Sequence, residues 1–194
     1  RGGAALLLSG NIMVDRRYLE RAGNVVLEEG SGLAPLRAWA QAARDGGSRL
    51  WAQLSHPGRQ CPRLVNGTPL APSAVQLKLA GNFGRPRAAT SDEVAVMQAL
   101  LQEGLDAGAL GMSTGTFYSA AQHAPTSEIV NVGKPLSDCD GLYVTHMRDE
   151  ADHVLESLQE TFEIGQALNV PVVISHHKVS GQRNFGRTLT TLPV

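Results

Sequence analysis

Two apolar runs in the second half of the chain each lead into histidine. Residues 142–146 read LYVTH, and residues 170–175 (VPVVIS) are followed at once by His176, His177 and Lys178. Neutral imidazole suits zinc, and an open zinc position lowers the pKa of bound water to about 7. One histidine at a strand end is most often a polar rim residue; two on consecutive strands make ligation a serious reading. Lys178 is by default a solvated charge, but two residues past a ligand it can bind a substrate carboxylate. Arg148-Asp149-Glu150 reads as a local ion-pair cluster worth little by itself. Other polar groups stand at strand ends too: Asp15, Gln53 with His56, and Ser113 with Thr114.

Strand ends matter because parallel α/β folds gather their reactive groups there. Five strands are expected, over 4–14, 49–55, 109–114, 142–146 and 170–175. Helical patterns lie between them. Residues 33–45 place Leu36, Trp39, Ala40 and Ala43 on one face, and Trp39 and Trp51 read as core. Thr90-Ser91-Asp92-Glu93 is a capping-box pattern, followed by Val94, Met97, Leu101 and Leu105 at helical spacing. Residues 126–136 form a short helix that Pro135 must end or kink. Residues 152–168 form an amphipathic helix with Leu155, Leu158, Phe162 and Gly165 on one face. Residues 57–87 are a long stretch rich in Pro, Gly and Arg. Apolar strands alternating with helices imply an α/β fold with a parallel sheet. A typical (β/α)8 TIM barrel takes about 250 residues, so 194 residues hold only part of one.

The totals narrow the function. A formal net charge of -1 with no basic stretch argues against nucleic acid or an anionic membrane as partner. Cys61 and Cys139 form no CxxC pair, which fits a reducing, cytoplasmic setting. The apolar run at 4–8 is too short for a membrane span. Arg1 in place of Met is consistent with processing, trimming or a fragment. No complete phosphate-binding glycine motif follows a strand.

From about Thr90 onward the sequence resembles the D-aminoacylase (N-acyl-D-amino-acid deacylase) group of the amidohydrolase superfamily. The matching motifs are GALGMSTGTFY (108–118), YVTHMRDEADHVLE (143–156) and VPVVISHHK (170–178). The resemblance implies that His146 and His176 are metal ligands, for zinc, and that Tyr118, Arg148 and Lys178 line the site for an N-acyl amino acid. The first part is similar to another family. GNIMVDRRYLERAGNVV (10–26) and LWAQLSHPGRQCPRLVNGTPLAPSAV (50–75) resemble the old yellow enzymes, which are FMN-dependent oxidoreductases. That likeness implies that Gln53 is a flavin-binding residue. It fades near FGRPRAATSDE (83–93).

Both families are (β/α)8 barrels. Together the resemblances imply one incomplete barrel domain over 1–194, an old-yellow-enzyme-like segment over 1–89 and an amidohydrolase-like segment over 90–194. The strands would take barrel positions 2–6. The amidohydrolase pattern also calls for an H-x-H on strand one, a bridging cysteine and an aspartate base on strand eight, none of which this sequence matches. The flavin side has Ser113-Thr114-Gly115 where that family carries a histidine pair.

Three readings follow. The first is a zinc-dependent D-aminoacylase-type hydrolase, with weak or vestigial zinc and no turnover from this chain. The second is an FMN-dependent ene-reductase-type enzyme, although bound FMN is not expected. The third is a non-enzymatic chimeric or truncated chain that self-associates through open sheet edges. His56 is a further candidate, as a third ligand. The strand-end groups Gln53, His146 and His176 are expected on one edge of a single continuous sheet.

Overall fold

The computed structural model describes residues 3–30, 32–71, 73–77, 82–118 and 121–192. The chain divides into two compact units. One comprises Arg1–Ala71 and Gln76–Pro86; the other comprises Pro72–Val75 and Arg87–Val194.

The first unit is built on β1 (Leu6–Met13), β2 (Val25–Val26), helix α1 (Ala34–Asp45), β3 (Arg49–Ser55) and the short β4 (Leu70–Ala71). β1 pairs in parallel with both β2 and β3, in the order β2-β1-β3. The parallel crossover from β1 to β3 runs through α1, as such a connection requires. Pro35 sits in the first turn of α1, where its missing N–H costs nothing. The register slips between Leu8 and Asn11, and the Ser9 hydroxyl accepts from the Gln53 N–H at 2.9 Å beside the irregularity.

The second unit holds β5 (Arg87–Ala88), α2 (Ser91–Asp106), β6 (Gly111–Gly115), α3 (Thr126–Gly133), β7 (Leu142–His146), α4 (Val154–Leu168), β8 (Val172–Ile174) and the short α5 (Thr188–Thr191). β6, β7 and β8 form a parallel sheet in chain order. The expected capping box opens α2. Thr90 Oγ1 accepts from the Glu93 N–H at 3.2 Å, and the Glu93 carboxylate accepts from the Thr90 N–H at 2.9 Å. Asn169 ends α4 in the left-handed conformation at φ 53°. Pro135 does stop α3, which passes into a 3-10 turn at Lys134–Asp138.

Helices α3 and α4 cover the sheet of the second unit. Ile129, Leu136, Tyr143, Ile164, Leu168 and Val170 form one buried cluster, with Leu101 and Leu105 of α2 packed against it. Met147, Val154 and Leu158 form another. Gly165 lets α4 press against β8, because a Cβ there would overlap the Val172 side chain.

Several expectations need correction. The five strands expected as one continuous sheet fall into two ladders, one in each unit; the Pro- and Gly-rich segment 57–87 intervenes in the chain. Neither ladder closes into a barrel. Trp39 and Trp51, read as core, are 41% and 44% exposed. They have the right residue type for a core, but among the described residues of the first unit α1 is the one helix longer than a single turn to cover the sheet. Leu155 is exposed as well, because the buried face of α4 is centred on Val154, Leu158, Thr161 and Leu168.

Candidate metal and acyl-amino-acid site

The strand register of the second unit sets the site. Thr145 on β7 lies opposite Ile174 on β8, so the two chains leave the sheet side by side. The Ser175 N–H continues the ladder by donating to the Thr145 carbonyl at 2.9 Å. His146 and His176 therefore emerge together, with ring centroids 4.4 Å apart and planes tilted by 56°. Two hydroxyls hold the His146 backbone: Thr116 Oγ1 and Thr145 Oγ1 each donate to its carbonyl at 3.0 Å. Behind them, Thr114 Oγ1 shares hydrogen bonds with Tyr143 Oη at 2.7 Å and Thr145 Oγ1 at 2.9 Å.

A third ring completes the row. Tyr118 lies 5.4 Å from His146 between centroids. It turns back over Gly115, where a Cβ would meet the Tyr118 ring at 2.8 Å; only glycine allows the approach. Phe117 packs edge-on against Tyr118 at 5.7 Å, and the Lys178 ammonium sits 6.0 Å above the Phe117 ring. Burial keeps the His146 imidazole below its ordinary pKa, and the neighbouring His176 pushes the same way; Glu150 opposes them. The ring is thereby held in the neutral form that binds metals.

Tyr118, His146, His176 and Lys178 thus meet at one rim. Arg148 faces another way. Its guanidinium donates to both Glu160 carboxylate oxygens, at 2.8 and 2.5 Å, and to the Gln122 and Ala124 carbonyls. It lines a shallow groove with His153, Glu156, Gln159 and Glu163, and that lining includes none of the other four residues. Burial pushes Glu160 up, but the Arg148 and Thr126 hydrogen bonds outweigh it and hold the carboxyl below its usual range.

The charged run after His146 is not a local cluster. Arg148 pairs with Glu160, and Asp149 caps the Ala151 and His153 N–H groups. Glu150 turns inward to Lys178, Nζ to Oε2 at 2.5 Å. Nothing singled out Glu150 beforehand. The available signal was positional: Glu150 is four residues past one histidine and Lys178 two past the other.

In the first unit, the Gln53 side-chain amide donates to Asn11 Oδ1. His56 Nδ1 accepts from the Gly58 N–H at 3.1 Å, and its ring packs 4.7 Å from Tyr18. Asp15 is bound to Arg17, whose hydrogen bonds hold its carboxyl below the usual value. Cys61 is buried and Cys139 exposed, and both are free thiols. Among the described residues no group of three or more His, Cys, Asp or Glu side chains converges to hold a metal. No described helix is long and apolar enough to cross a membrane.

Known proteins of two kinds resemble the chain. No family model matches the chain. The D-aminoacylase of Alcaligenes xylosoxydans xylosoxydans is 56% identical over 108 residues, 56% of this chain and 22% of that protein. The N-acyl-D-aspartate deacylase of the same organism is 48% identical over 134 residues, 69% of this chain and 27% of that protein. The resemblance is mixed. An NADH-dependent flavin oxidoreductase of Aspergillus parasiticus is 35% identical over 102 residues, 48% of this chain and 23% of that protein.

Among solved structures, a D-aminoacylase described as defining a novel subset of amidohydrolases superposes with a TM-score of 0.61 at 34% identity, covering 97% of this chain and 38% of that one. An N-acyl-D-glutamate deacylase from Bordetella bronchiseptica, complexed with zinc and a phosphonate inhibitor, gives 0.55 at 30% identity, over 78% of this chain and 29% of that one. An old yellow enzyme homologue from Zymomonas mobilis gives 0.57 at 19% identity, over 87% and 59%, a likeness of fold alone. These neighbours include TIM-barrel enzymes, and the chain spans about a quarter of the curated deacylases it matches.

Proposed function

We propose that the chain carries part of a zinc-dependent amidohydrolase site of the D-aminoacylase type, directed at N-acyl-D-amino acids. The observation that carries this reading is the His146–His176 pair, two imidazoles 4.4 Å apart at adjacent strand ends. The pair fits zinc in donor type. It supplies two ligands where catalytic zinc sites use three protein ligands and a water, so the metal is held weakly. When bound, zinc would polarise the amide carbonyl and activate water. Lys178 offers ammonium donors to the substrate carboxylate, and Tyr118 flanks the acyl group. Arg148 is assigned to the substrate side through the segment it clamps, since four of its five N–H donors go to Glu160 and to carbonyls 122 and 124.

In this reading β1, β3, β6, β7 and β8 occupy barrel positions 2–6, the seam between the two resemblances lies near residue 89, and turnover is absent because the sequence does not match the strand-eight aspartate base of the amidohydrolase pattern. Open sheet edges favour self-association. The flavin reading is weaker: the Gln53 amide is already bonded to Asn11, and one contact does not hold FMN.

Zinc titration by calorimetry, beside an assay with N-acetyl-D-alanine, tests the proposal. Weak zinc binding lost in His146→Ala and His176→Ala, and kept in His123→Ala, is expected. Zinc binding that survives both substitutions overturns the assignment. Turnover that disappears with either histidine would show that another group completes the site.

A further inference from the structure

Among the described residues of the second unit, Glu150 is the one acidic side chain with a relative exposure as low as 2%, and its Oε1 has no hydrogen-bond partner among them. Burying a carboxylate this way is costly unless a cation answers it. The answering cation is Lys178, whose Nζ lies 2.5 Å from Oε2 while more than half of its own side chain stays exposed. The pair is lopsided: a buried anchor holds an accessible ammonium.

The backbone around the anchor is fixed on both sides. The Glu150 carbonyl accepts from the Ser180 N–H at 2.6 Å, tying the carboxylate's segment to the segment that follows Lys178. Asn184 Nδ2 bridges Asp152 Oδ1 at 2.7 Å and the Ser180 carbonyl at 2.9 Å. Ser157 Oγ accepts from the Asp149 N–H at 2.8 Å. Lysine gives up rotamer entropy when it is fixed. Here that loss is taken on folding instead of on ligand binding. An ammonium has three donors, and one faces Glu150; the others remain for an anion beside His146 and His176.

We infer that Glu150 is a positioning residue: its buried carboxylate presets the Lys178 ammonium at the rim of the His146–His176 pair as a ready-made point for a substrate carboxylate. The identity of that anion rests on the proposed deacylase reading; the presetting of Lys178 does not.

Two measurements separate these. The first is the 1H–15N correlation spectrum of lysine ammonium groups, in which a solvent-exchanging ammonium is broadened away and a pinned one is retained. A Lys178 signal, assigned by its loss in Lys178→Met, is expected in the wild type, retained in weakened form in Glu150→Gln and absent in Glu150→Ala. The second is titration of N-acetyl-D-alanine onto the zinc-loaded chain. Glu150→Gln is expected to weaken binding about tenfold with zinc affinity unchanged, and to have no further effect when Lys178 is already methionine. A purely structural role would lower zinc affinity too, or would weaken binding equally in the Lys178→Met background; either result overturns the inference, as does an unchanged Lys178 signal in Glu150→Ala. A Lys178 signal that follows Glu150 as expected, in a chain that binds no N-acetyl-D-alanine, supports the presetting and refutes the deacylase reading.

Discussion

β1 and β7 are alike in sequence and unlike in circumstance. Each is an apolar strand paired in parallel on both sides. β7 buries Tyr143 and Thr145 to 1% and 2% exposure, whereas β1 leaves Leu8 69% exposed. The difference is what lies on the sheet. In the second unit α2, α3 and α4 contribute Leu101, Leu105, Ile129, Ile164 and Leu168 to one cluster around Tyr143. In the first unit α1 buries only Ala43. Parallel sheets are stable when both faces are covered. An apolar run thus marks where a strand forms; the helices decide whether it is buried. The same contrast governs chemistry. In the second unit hydroxyl networks hold His146 against a covered sheet, while in the first Gln53 spends its amide on its neighbour Asn11.

The largest effect that sharpens this contrast is a core truncation. Leu158 is 1% exposed beside Met147 and Val154. Leu158→Ala should cost about 3 kcal/mol in urea unfolding, whereas Leu8→Ala in β1 should stay within about 0.5 kcal/mol. Equal losses would break the comparison, since they would require Leu8 to be covered in solution.

Next in size is metal binding. His146→Ala or His176→Ala should abolish zinc binding, and Gln53→Ala should leave it unchanged. Because burial and His176 keep His146 below the ordinary imidazole value of 6.5, its ring stays neutral to lower pH than a free histidine. Zinc affinity should therefore hold at neutral pH and fall only as pH drops below that value, when protons compete for the ring. Calorimetry across pH reads this directly. Affinity already falling above neutrality would contradict the lowered value.

Much of the second unit was legible in advance. The capping box at Thr90, the strand ending at His146 and the stop at Pro135 are local signals, and local backbone chemistry realises them. The meeting of His146 and His176 was legible too, because consecutive parallel strands bring their ends together. Burial was not legible: Trp39, Trp51 and Leu155 have core-like residue types, and only the covering elements decide their exposure. Glu150 escaped because its neighbours Arg148 and Asp149 suggest a surface charge run. Only the fold shows that three adjacent charged residues turn to three different partners.

The Arg148–Glu160 pair comes next. Both side chains are largely buried, at 23% and 16% exposure. Removing the cation leaves a largely buried carboxylate with the Thr126 hydroxyl but no charge to answer it, so Arg148→Met should cost roughly 2 kcal/mol. Glu160 is held below its ordinary value of 4.5 in the folded chain. Its contribution is therefore complete above that value and is lost as pH falls through the lower, folded value. Acid unfolding of the wild type should show this loss, and Arg148→Met should flatten it. The first unit's counterpart, Asp15–Arg17, is a surface pair in which Arg17 is 74% exposed, and Arg17→Met should change stability little.

The smallest contrast lies at the helix starts. α2 opens with a complete capping box, whereas Leu33 at the start of α1 offers no side-chain acceptor. Thr90→Ala removes the acceptor for the Glu93 N–H and should cost about 1 kcal/mol; Leu33→Ala removes no cap and should cost almost nothing. The carboxylate of the box adds a pH signature. Hydrogen bonds from Arg87 and from the Thr90 N–H hold Glu93 down at about 2, from an ordinary 4.5. Its support of the helix is present above 4.5 and fades as pH falls toward 2. Glu93 is exposed enough for salt to screen the Arg87 charge, so the Arg87 share should shrink in high salt while the backbone bond persists. Thr90→Ala measured at neutral pH in low and high salt, beside Arg87→Gln, separates the two. A cost for Thr90→Ala that vanishes in high salt would mean that charge, and not the cap, starts this helix.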